Sequence, residues 1–122
     1  MQYRCAIIDD EPLALDILES YIQRTNQLKL IAKTSQLATI IQLVDEKRVD
    51  LVLLDLNMRG INMDSLQYLL SKDCRFILVT AYPRDVLTDK GLDNDFGYIA
   101  KPASYKRFIK EVERVVEGVT HH

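Results

Sequence analysis

Four apolar runs in the sequence each end in polar residues that phosphate chemistry could use. In chain order, these residues are the acidic pair Asp9 and Asp10, then Asp55, Thr80 and Lys101. In an open parallel sheet, ligands bind in the crevice beyond the carboxyl ends of the strands. If the four runs are strands of one such sheet, that edge gathers three carboxylates, a hydroxyl and an ammonium group.

The three aspartates predict a divalent-metal site. Adjacent strands lie about 4.8 Å apart, and carboxylates at that spacing raise one another's pKa or require a cation. Oxygen ligands without soft donors favour Mg²⁺, which usually takes one or two carboxylates together with phosphate oxygens. For Glu11 we expect a different role, in which an acid in the first turn of a helix complements the helix dipole.

Asp55 is the candidate nucleophile of this site. A carboxylate can accept a phosphoryl group as a mixed anhydride, and phosphoryl transfer depends mainly on positioning and on neutralising charge. Lys101 could neutralise one phosphoryl oxygen, and the Thr80 hydroxyl could donate a hydrogen bond to another. Ala81 is small enough to leave room for the incoming group.

The elements that must position these residues alternate between short apolar runs and helical stripes, which predicts βα units around a parallel sheet. Pro12 suits a first helical turn, and Ser35 is the candidate cap of the second helix. We expect a flavodoxin-like, doubly wound α/β fold with a five-stranded parallel sheet of order 2-1-3-4-5 and five helices. The predicted strands are residues 5–8, 27–33, 51–54, 76–79 and 98–100, and the predicted helices are centred on residues 12–25, 37–44, 66–70, 83–92 and 108–116.

Size and composition are consistent with one small domain. The chain has 122 residues, 48% of them hydrophobic, and a formal net charge of −2, which exerts no strong attraction on nucleic acid. No apolar run approaches the roughly 20 residues of a membrane span, and two cysteines in or beside apolar strands are typical of a reducing compartment. We expect a cytoplasmic domain over residues 1–118, followed at 119–122 by an extension whose final His121-His122 is similar to the start of an affinity tag.

Taken together, the motifs resemble the receiver domain of response regulators in two-component signalling. The resemblance spans essentially the whole chain and is carried by IIDDEP at 7–12, LLDLNM at 53–58, VTA at 79–81 and YIAKP at 98–102. Each motif alone is weak, and the set is specific. The resemblance implies a phosphoacceptor signalling domain that promotes its own phosphotransfer and dephosphorylation without being an enzyme that acts on other substrates.

The resemblance also implies the role of each site residue. Asp55 would be phosphorylated by a sensor histidine kinase, while Thr80 and Lys101 would contact the phosphoryl group and the bond from Lys101 to the following proline would be cis. The resemblance further assigns Mg²⁺ ligands: Asp10 and Asp55 directly, Asp9 through water and Asn57 through its backbone carbonyl.

A switch and an output follow from the same resemblance. Tyr98 would be the aromatic residue that turns inward when Thr80 moves toward the phosphoryl group. The face made by the predicted fourth helix, the fifth strand and the last helix would then control homodimerisation. The segments TAY at 80–82 and KPASYKRF at 101–108 are similar to receivers joined to LytTR-type DNA-binding domains. Contact with DNA would therefore pass through an output domain absent from this chain, and no contact with a membrane is expected.

Two positions depart from the family pattern, and several alternative functions stay open. Arg59 stands where the family often has proline, and Met63 where it often has glycine, so that Gly60 would have to supply the turn of an unusual loop over residues 57–64. A stand-alone receiver that acts by protein–protein interaction is the main alternative. A phosphatase of the haloacid-dehalogenase type would need an acid at Asn57, and a flavin module would need hydrogen-bond donors instead of Asp9 and its acidic neighbours.

Overall fold

A computed structural model describes residues 2–83, 85 and 96–117 of the chain. Its five strands form one parallel sheet in the order β2-β1-β3-β4-β5, which confirms the predicted topology. The strands are β1 (Tyr3–Ile8), β2 (Leu28–Thr34), β3 (Leu51–Leu54), β4 (Arg75–Thr80) and β5 (Gly97–Ala100). The chain crosses from β1 over to β2 and then back to β3, so the switch point of the sheet lies between β1 and β3.

Four helices lie within the described residues: α1 (Pro12–Gln23), α2 (Leu37–Asp45), α3 (Met63–Leu70) and α4 (Tyr105–Glu117). The predicted helix over residues 83–92 lies almost entirely outside the described part of the chain. The prediction of Ser35 as a cap was wrong, since the cap residue of α2 is Gln36 and its side chain makes no capping hydrogen bond. Helix α3 has a cap that sequence reasoning missed, because the side chain of Asn62 accepts a hydrogen bond from the Ser65 N–H.

The helices cover both faces of the sheet, as a parallel sheet requires. Successive residues of a strand point to opposite faces, and β1 shows the division clearly. Ala6 and Ile8 belong to the core that packs under α2 and α3, whereas Cys5 and Ile7 belong to the core under α1 and α4. The central strand β3 is fully buried at all four positions, which accounts for its continuous run of apolar residues.

The register of the central strands brings the polar residues to one edge. Ile8 of β1 pairs with Leu54 of β3, so the residues that follow, Asp9 and Asp55, leave the sheet side by side. The ladder continues for one more hydrogen bond, from the Asp55 N–H to the Ile8 carbonyl at 3.0 Å. On the other side, the Lys101 N–H donates to the Thr80 carbonyl at 2.9 Å. The carboxyl edge of the sheet therefore positions the predicted site residues.

A side chain from α4 binds the backbone of β5, the last strand of the sheet. The carboxylate of Glu111 accepts a hydrogen bond from the Tyr98 N–H at 2.6 Å. Gly97 leaves room for this approach, because a Cβ there would lie 3.2 Å from Glu111 Oε2 and 2.8 Å from side-chain atoms of Ile77 and Val115. Within the described residues, no helix is long and apolar enough to cross a membrane.

Candidate functional site

Asp9 and Asp55 are both buried at the carboxyl edge of the sheet, with 0% and 1% of their surface exposed. Each is held by the backbone two residues further along. The Glu11 N–H donates to Asp9 Oδ1 at 2.9 Å, and the Asn57 N–H donates to Asp55 Oδ1 at 2.8 Å. These bonds orient both side chains and leave one oxygen of each carboxylate directed elsewhere.

Lys101 supplies the positive charge of the site. Its Nζ lies 3.0 Å from Asp9 Oδ2, 3.4 Å from Asp55 Oδ2 and 3.5 Å from Glu11 Oε1. Burial by itself lowers the pKa of Lys101, but the hydrogen bond to Asp9 and the charge of Asp55 outweigh it, so the net pKa lies above the ordinary value. Lys101 is therefore a cation in the folded protein. The peptide bond between Lys101 and Pro102 is cis, as the resemblance implied.

The acidic residues converge as the sequence predicted. One carboxylate oxygen from each of Asp9, Asp10, Glu11 and Asp55 lies within 4.8 Å of the others. Asp10 is exposed, and its Oδ2 accepts a hydrogen bond from the Arg59 N–H at 3.2 Å. The expectation for Glu11 was wrong in detail, because this residue precedes α1 as its cap position and its carboxylate turns toward the lysine described above.

The surroundings of Asp55 shift the pKa of its carboxyl group strongly. Burial raises its pKa from the ordinary 3.8 to about 6; the Asn57 N–H and the Lys101 charge oppose this rise, and the negative charge of Asp9 adds to it. Asp55 Oδ2 is buried and accepts no hydrogen bond from the described residues. Its charged neighbour is the Lys101 ammonium at 3.4 Å, and the oxygen ligands gathered at this edge suit a divalent cation.

Thr80 is buried at the end of β4, and its hydroxyl both donates and accepts a hydrogen bond. It donates to Asn57 Oδ1 at 2.7 Å and accepts from the Tyr82 N–H at 3.1 Å. The same Asn57 oxygen also accepts from the Ala81 N–H at 2.9 Å. The sequence had assigned only the backbone carbonyl of Asn57 to the site, so this use of its side chain was missed. The position of an amide two residues after Asp55, opposite a strand that ends in threonine, could have suggested it.

Tyr98 is half-buried on β5 and packs against the core under α2 and α3. Its hydroxyl donates to the backbone carbonyl of Tyr82 at 2.6 Å. Since Tyr82 also donates its N–H to Thr80, the two residues that the sequence named as a switch are joined through the backbone of one loop residue. Their role as a switch stays a prediction.

The loop between β3 and α3 shows how the chain accommodates its two unusual residues. Gly60 adopts a φ of +66°, a left-handed conformation that glycine tolerates, so it does supply the turn. Arg59 uses its backbone N–H to bind Asp10, which a proline at that position could not do. Met63 is the first residue of α3 and is largely exposed.

Sheet order and acidic edge together define a flavodoxin-like, doubly wound α/β domain with a cluster of carboxylates around one lysine. The family model described as "Response regulator receiver domain" matches residues 5–113. The chain therefore belongs to the response regulator receiver family of two-component systems, whose members are phosphoacceptor signalling domains and in general not enzymes.

Individual relatives agree with this assignment, and a solved structure shares the fold. The chain is 27% identical over 117 residues to an uncharacterized response regulatory protein of Vibrio vulnificus, covering 94% of this chain and 48% of the relative. It is 28% identical over 119 residues to the heme response regulator HssR of Staphylococcus aureus, covering 93% and 51%. The isolated REC domain of RcsB from Salmonella enterica, at 16% identity, has the same fold with a TM-score of 0.83 and coverage of 99% and 93%. The chain thus spans about half the length of the curated relatives that it matches.

Proposed function

We propose that Asp55 accepts a phosphoryl group from the phosphohistidine of a sensor histidine kinase. The observation that supports this most directly is the state of Asp55 Oδ2, which is buried, accepts no hydrogen bond from the described residues and lies 3.4 Å from Lys101 Nζ. Its partner oxygen is fixed by the Asn57 N–H. One oxygen is thereby held in place by the backbone while the other is available to form a new bond.

In the proposed step, a lone pair of Asp55 Oδ2 forms a bond to phosphorus while the phosphorus–nitrogen bond of the phosphohistidine breaks. The electron pair of that bond returns to the imidazole, and the product is an acyl phosphate. The nucleophile must be ionised, and with a pKa of about 6 Asp55 is ionised at neutral pH. Lys101 neutralises charge on the transferred group, and the Thr80 hydroxyl donates to one of its oxygens.

The acidic cluster fits Mg²⁺ as a cofactor. Asp10 and Asp55 would hold the ion directly, the Asn57 backbone carbonyl would supply a third ligand, and Asp9 would act through water. The cluster suits such an ion, because one carboxylate oxygen from each of Asp9, Asp10, Glu11 and Asp55 lies within 4.8 Å of the others. Bound Mg²⁺ would neutralise the negative charge that gathers when a phosphoryl group approaches these carboxylates.

The kinase must cover the edge at which Asp55 lies, and an apolar surface is present beside it. Leu13 and Ile17, one turn apart on α1, are 71% and 40% exposed. Together with Pro102 and the stem of Lys101 they line a groove of about 330 Å³. We propose that a helix of the kinase packs there, since exposed apolar patches commonly mark protein-binding surfaces.

The proposed signal output rests on the hydrogen bonds that connect the acidic site to the surface formed by β5 and α4. Thr80 and Tyr98 are joined through Tyr82, so a change at Thr80 would reach the surface formed by β5 and α4. We propose that this surface controls homodimerisation and, through it, a DNA-binding output domain of LytTR type. The length of the curated relatives, about twice that of this chain, is consistent with an attached output domain.

Phosphorylation of the isolated domain tests the central proposal. Incubation with acetyl phosphate and Mg²⁺ should add one phosphoryl group, detected as a mass increase by intact-protein mass spectrometry. The variant Asp55→Asn and chelation of Mg²⁺ should each abolish it. Asp50→Asn is the matched control, because Asp50 lies at the opposite end of β3 and binds Arg4. Unchanged phosphorylation of the Asp55→Asn protein would refute the assignment.

The proposed docking groove has its own test. Leu13→Ala and Ile17→Ala should slow transfer from a purified kinase about tenfold while transfer from acetyl phosphate stays unchanged, since the small donor needs no protein contact. Met63→Ala is the control, because Met63 is 43% exposed at the start of α3. Equal effects on both donors would argue against a docking role.

A further inference from the structure

We infer that the side-chain amide of Asn57 is a positioning group that occupies the phosphoryl-binding donors of the site until a phosphoryl group displaces it. The inference rests on the proposed function of Asp55 and extends it to a residue whose side chain had no assigned role. Asn57 Oδ1 accepts from the Thr80 hydroxyl at 2.7 Å and from the Ala81 N–H at 2.9 Å. Both donors lie at the end of β4, where a phosphoryl oxygen on Asp55 would need them.

The two bonds use both lone pairs of the Asn57 amide oxygen and the one proton of the Thr80 hydroxyl. An amide oxygen has two lone pairs, and a hydroxyl has one proton to donate. The Thr80 proton is therefore given to Asn57, and the remaining lone pair of Asn57 Oδ1 is filled by Ala81. Thr80 is 0% exposed, so water does not compete for its hydroxyl. A phosphoryl oxygen can gain these donors only by replacing the amide oxygen.

The position of Asn57 explains how the exchange can take place. Its backbone N–H binds Asp55 Oδ1 at 2.8 Å, so the residue is anchored to the nucleophile itself while its side chain reaches across to β4. A phosphoryl oxygen carries charge, and hydrogen bonds to charged acceptors are about twice as strong as those to neutral ones. The charged phosphoryl oxygen therefore replaces the amide oxygen as the acceptor. The free energy gained is reduced, because the two hydrogen bonds to Asn57 are lost.

The same exchange is transmitted toward Tyr98. The Tyr82 N–H donates to the Thr80 oxygen at 3.1 Å, and the Tyr82 carbonyl accepts from the Tyr98 hydroxyl at 2.6 Å. When Thr80 turns from Asn57 to a phosphoryl oxygen, the acceptor that Tyr82 uses moves as well. Asn57 thus sets both the free energy of phosphoryl binding and the resting position of this loop.

Thermodynamic linkage gives the size of the effect. Suppose that a ligand binds only the form of the protein in which Thr80 and Ala81 are free to donate. Its apparent dissociation constant is then the intrinsic one divided by the fraction of protein in that form. Two ordinary hydrogen bonds correspond to about a fivefold to 150-fold preference for the form in which Asn57 occupies the donors. Removing the Asn57 amide should tighten binding of a phosphoryl mimic by the same factor.

The experiment measures binding of the phosphomimetic BeF₃⁻ in saturating Mg²⁺ by isothermal titration calorimetry. Asn57→Ala and the similarly sized Asn57→Leu should both bind about fivefold to 150-fold more tightly than the wild type. In a Thr80→Val background the gain from Asn57→Ala should shrink, since one of the two donors is then missing. Asn62→Ala is the control: it removes an amide from the same loop that caps α3, and it should leave the affinity unchanged.

A second measurement uses the wild type alone. Ala81 is exposed, so its amide hydrogen should exchange rapidly with solvent unless the bond to Asn57 protects it. Protection in the free protein supports the inference, and exchange at the unprotected rate overturns it. Weaker or unchanged BeF₃⁻ affinity in the Asn57 variants, with normal wild-type binding, overturns the inference alone. Failure of the wild type to bind BeF₃⁻ at all overturns the proposed function as well.

Discussion

Replacing the buried acid at the centre of the site by its neutral isostere should stabilise the domain. Burial raises the pKa of Asp55 from 3.8 to about 6, which means that the folded structure disfavours the ionised carboxylate. Each tenfold change in a protonation equilibrium corresponds to about 1.36 kcal/mol, so ionised Asp55 lowers the free energy of unfolding by about 3 kcal/mol. In the absence of Mg²⁺ at pH 7.5, Asp55→Asn should therefore be more stable than the wild type by about that amount.

The pH dependence follows from the direction of the shift. The unfolded chain releases the Asp55 proton near pH 3.8, whereas the folded protein holds it until a pH near 6. Between these values the folded state binds more protons, so the stability of the wild type falls as the pH rises. The Asp55→Asn variant lacks this titration, and the difference between the two proteins should grow from near zero at pH 3.8 to its full value above pH 6.

Urea unfolding at several pH values in EDTA is the appropriate assay. A difference of about 3 kcal/mol should appear at pH 7.5 as an increase of about 1–3 M in the urea midpoint. Added Mg²⁺ should reduce the difference, because it stabilises the folded wild type by binding the carboxylate that the variant lacks. Asp50→Asn should change stability in the opposite direction, since hydrogen bonding to Arg4 lowers the pKa of Asp50. Equal stability of wild type and Asp55→Asn at pH 7.5 would refute the reasoning, because it would mean that Lys101 fully compensates the buried charge.

Three further substitutions have distinct expected outcomes. Lys101→Met leaves the buried acids without their cation. Thermal unfolding at pH 7.5 should therefore show a free energy of unfolding lower by about 3 kcal/mol, and Mg²⁺ should partly restore it. Stability equal to the wild type would contradict the ion-pair assignment. Thr80→Ala should keep phosphorylation by acetyl phosphate largely intact while weakening the oligomeric response in analytical ultracentrifugation, and an unaltered response would remove Thr80 from the switch. Gly97→Ala places a Cβ 2.8 Å from side chains of Ile77 and Val115, so chemical unfolding should show a free energy of unfolding lower by about 1–3 kcal/mol. An unchanged free energy of unfolding would contradict this steric argument, because it would show that these side chains can move aside.

Much of the fold could be predicted from the sequence, because local patterns and topological rules act on short segments. The apolar run 51–54 is the strand β3 with the same bounds, and the stripe that begins at Pro12 is the helix α1. The polar residues after Ile8 and Leu54 indicated which edge of the sheet carries the site, since parallel strands align their carboxyl ends. The family motifs then identified the class of protein.

Only the tertiary structure determined which atoms of the site residues form hydrogen bonds and ion pairs with one another. Glu11 turns its carboxylate toward Lys101, which lies 90 positions away in the chain. The capture of the Thr80 hydroxyl by Asn57 joins residues 23 positions apart, so no local pattern encodes it.

Sequence by itself therefore determined the fold class, the family and the set of residues at the acidic edge, because periodicity and motif spacing are properties of the chain. Only the folded molecule determined the raised pKa of Asp55 and the partner of Thr80. Both depend on burial and on distances of about 3 Å between side chains at or just beyond the ends of different strands, and these exist only once the strands have paired.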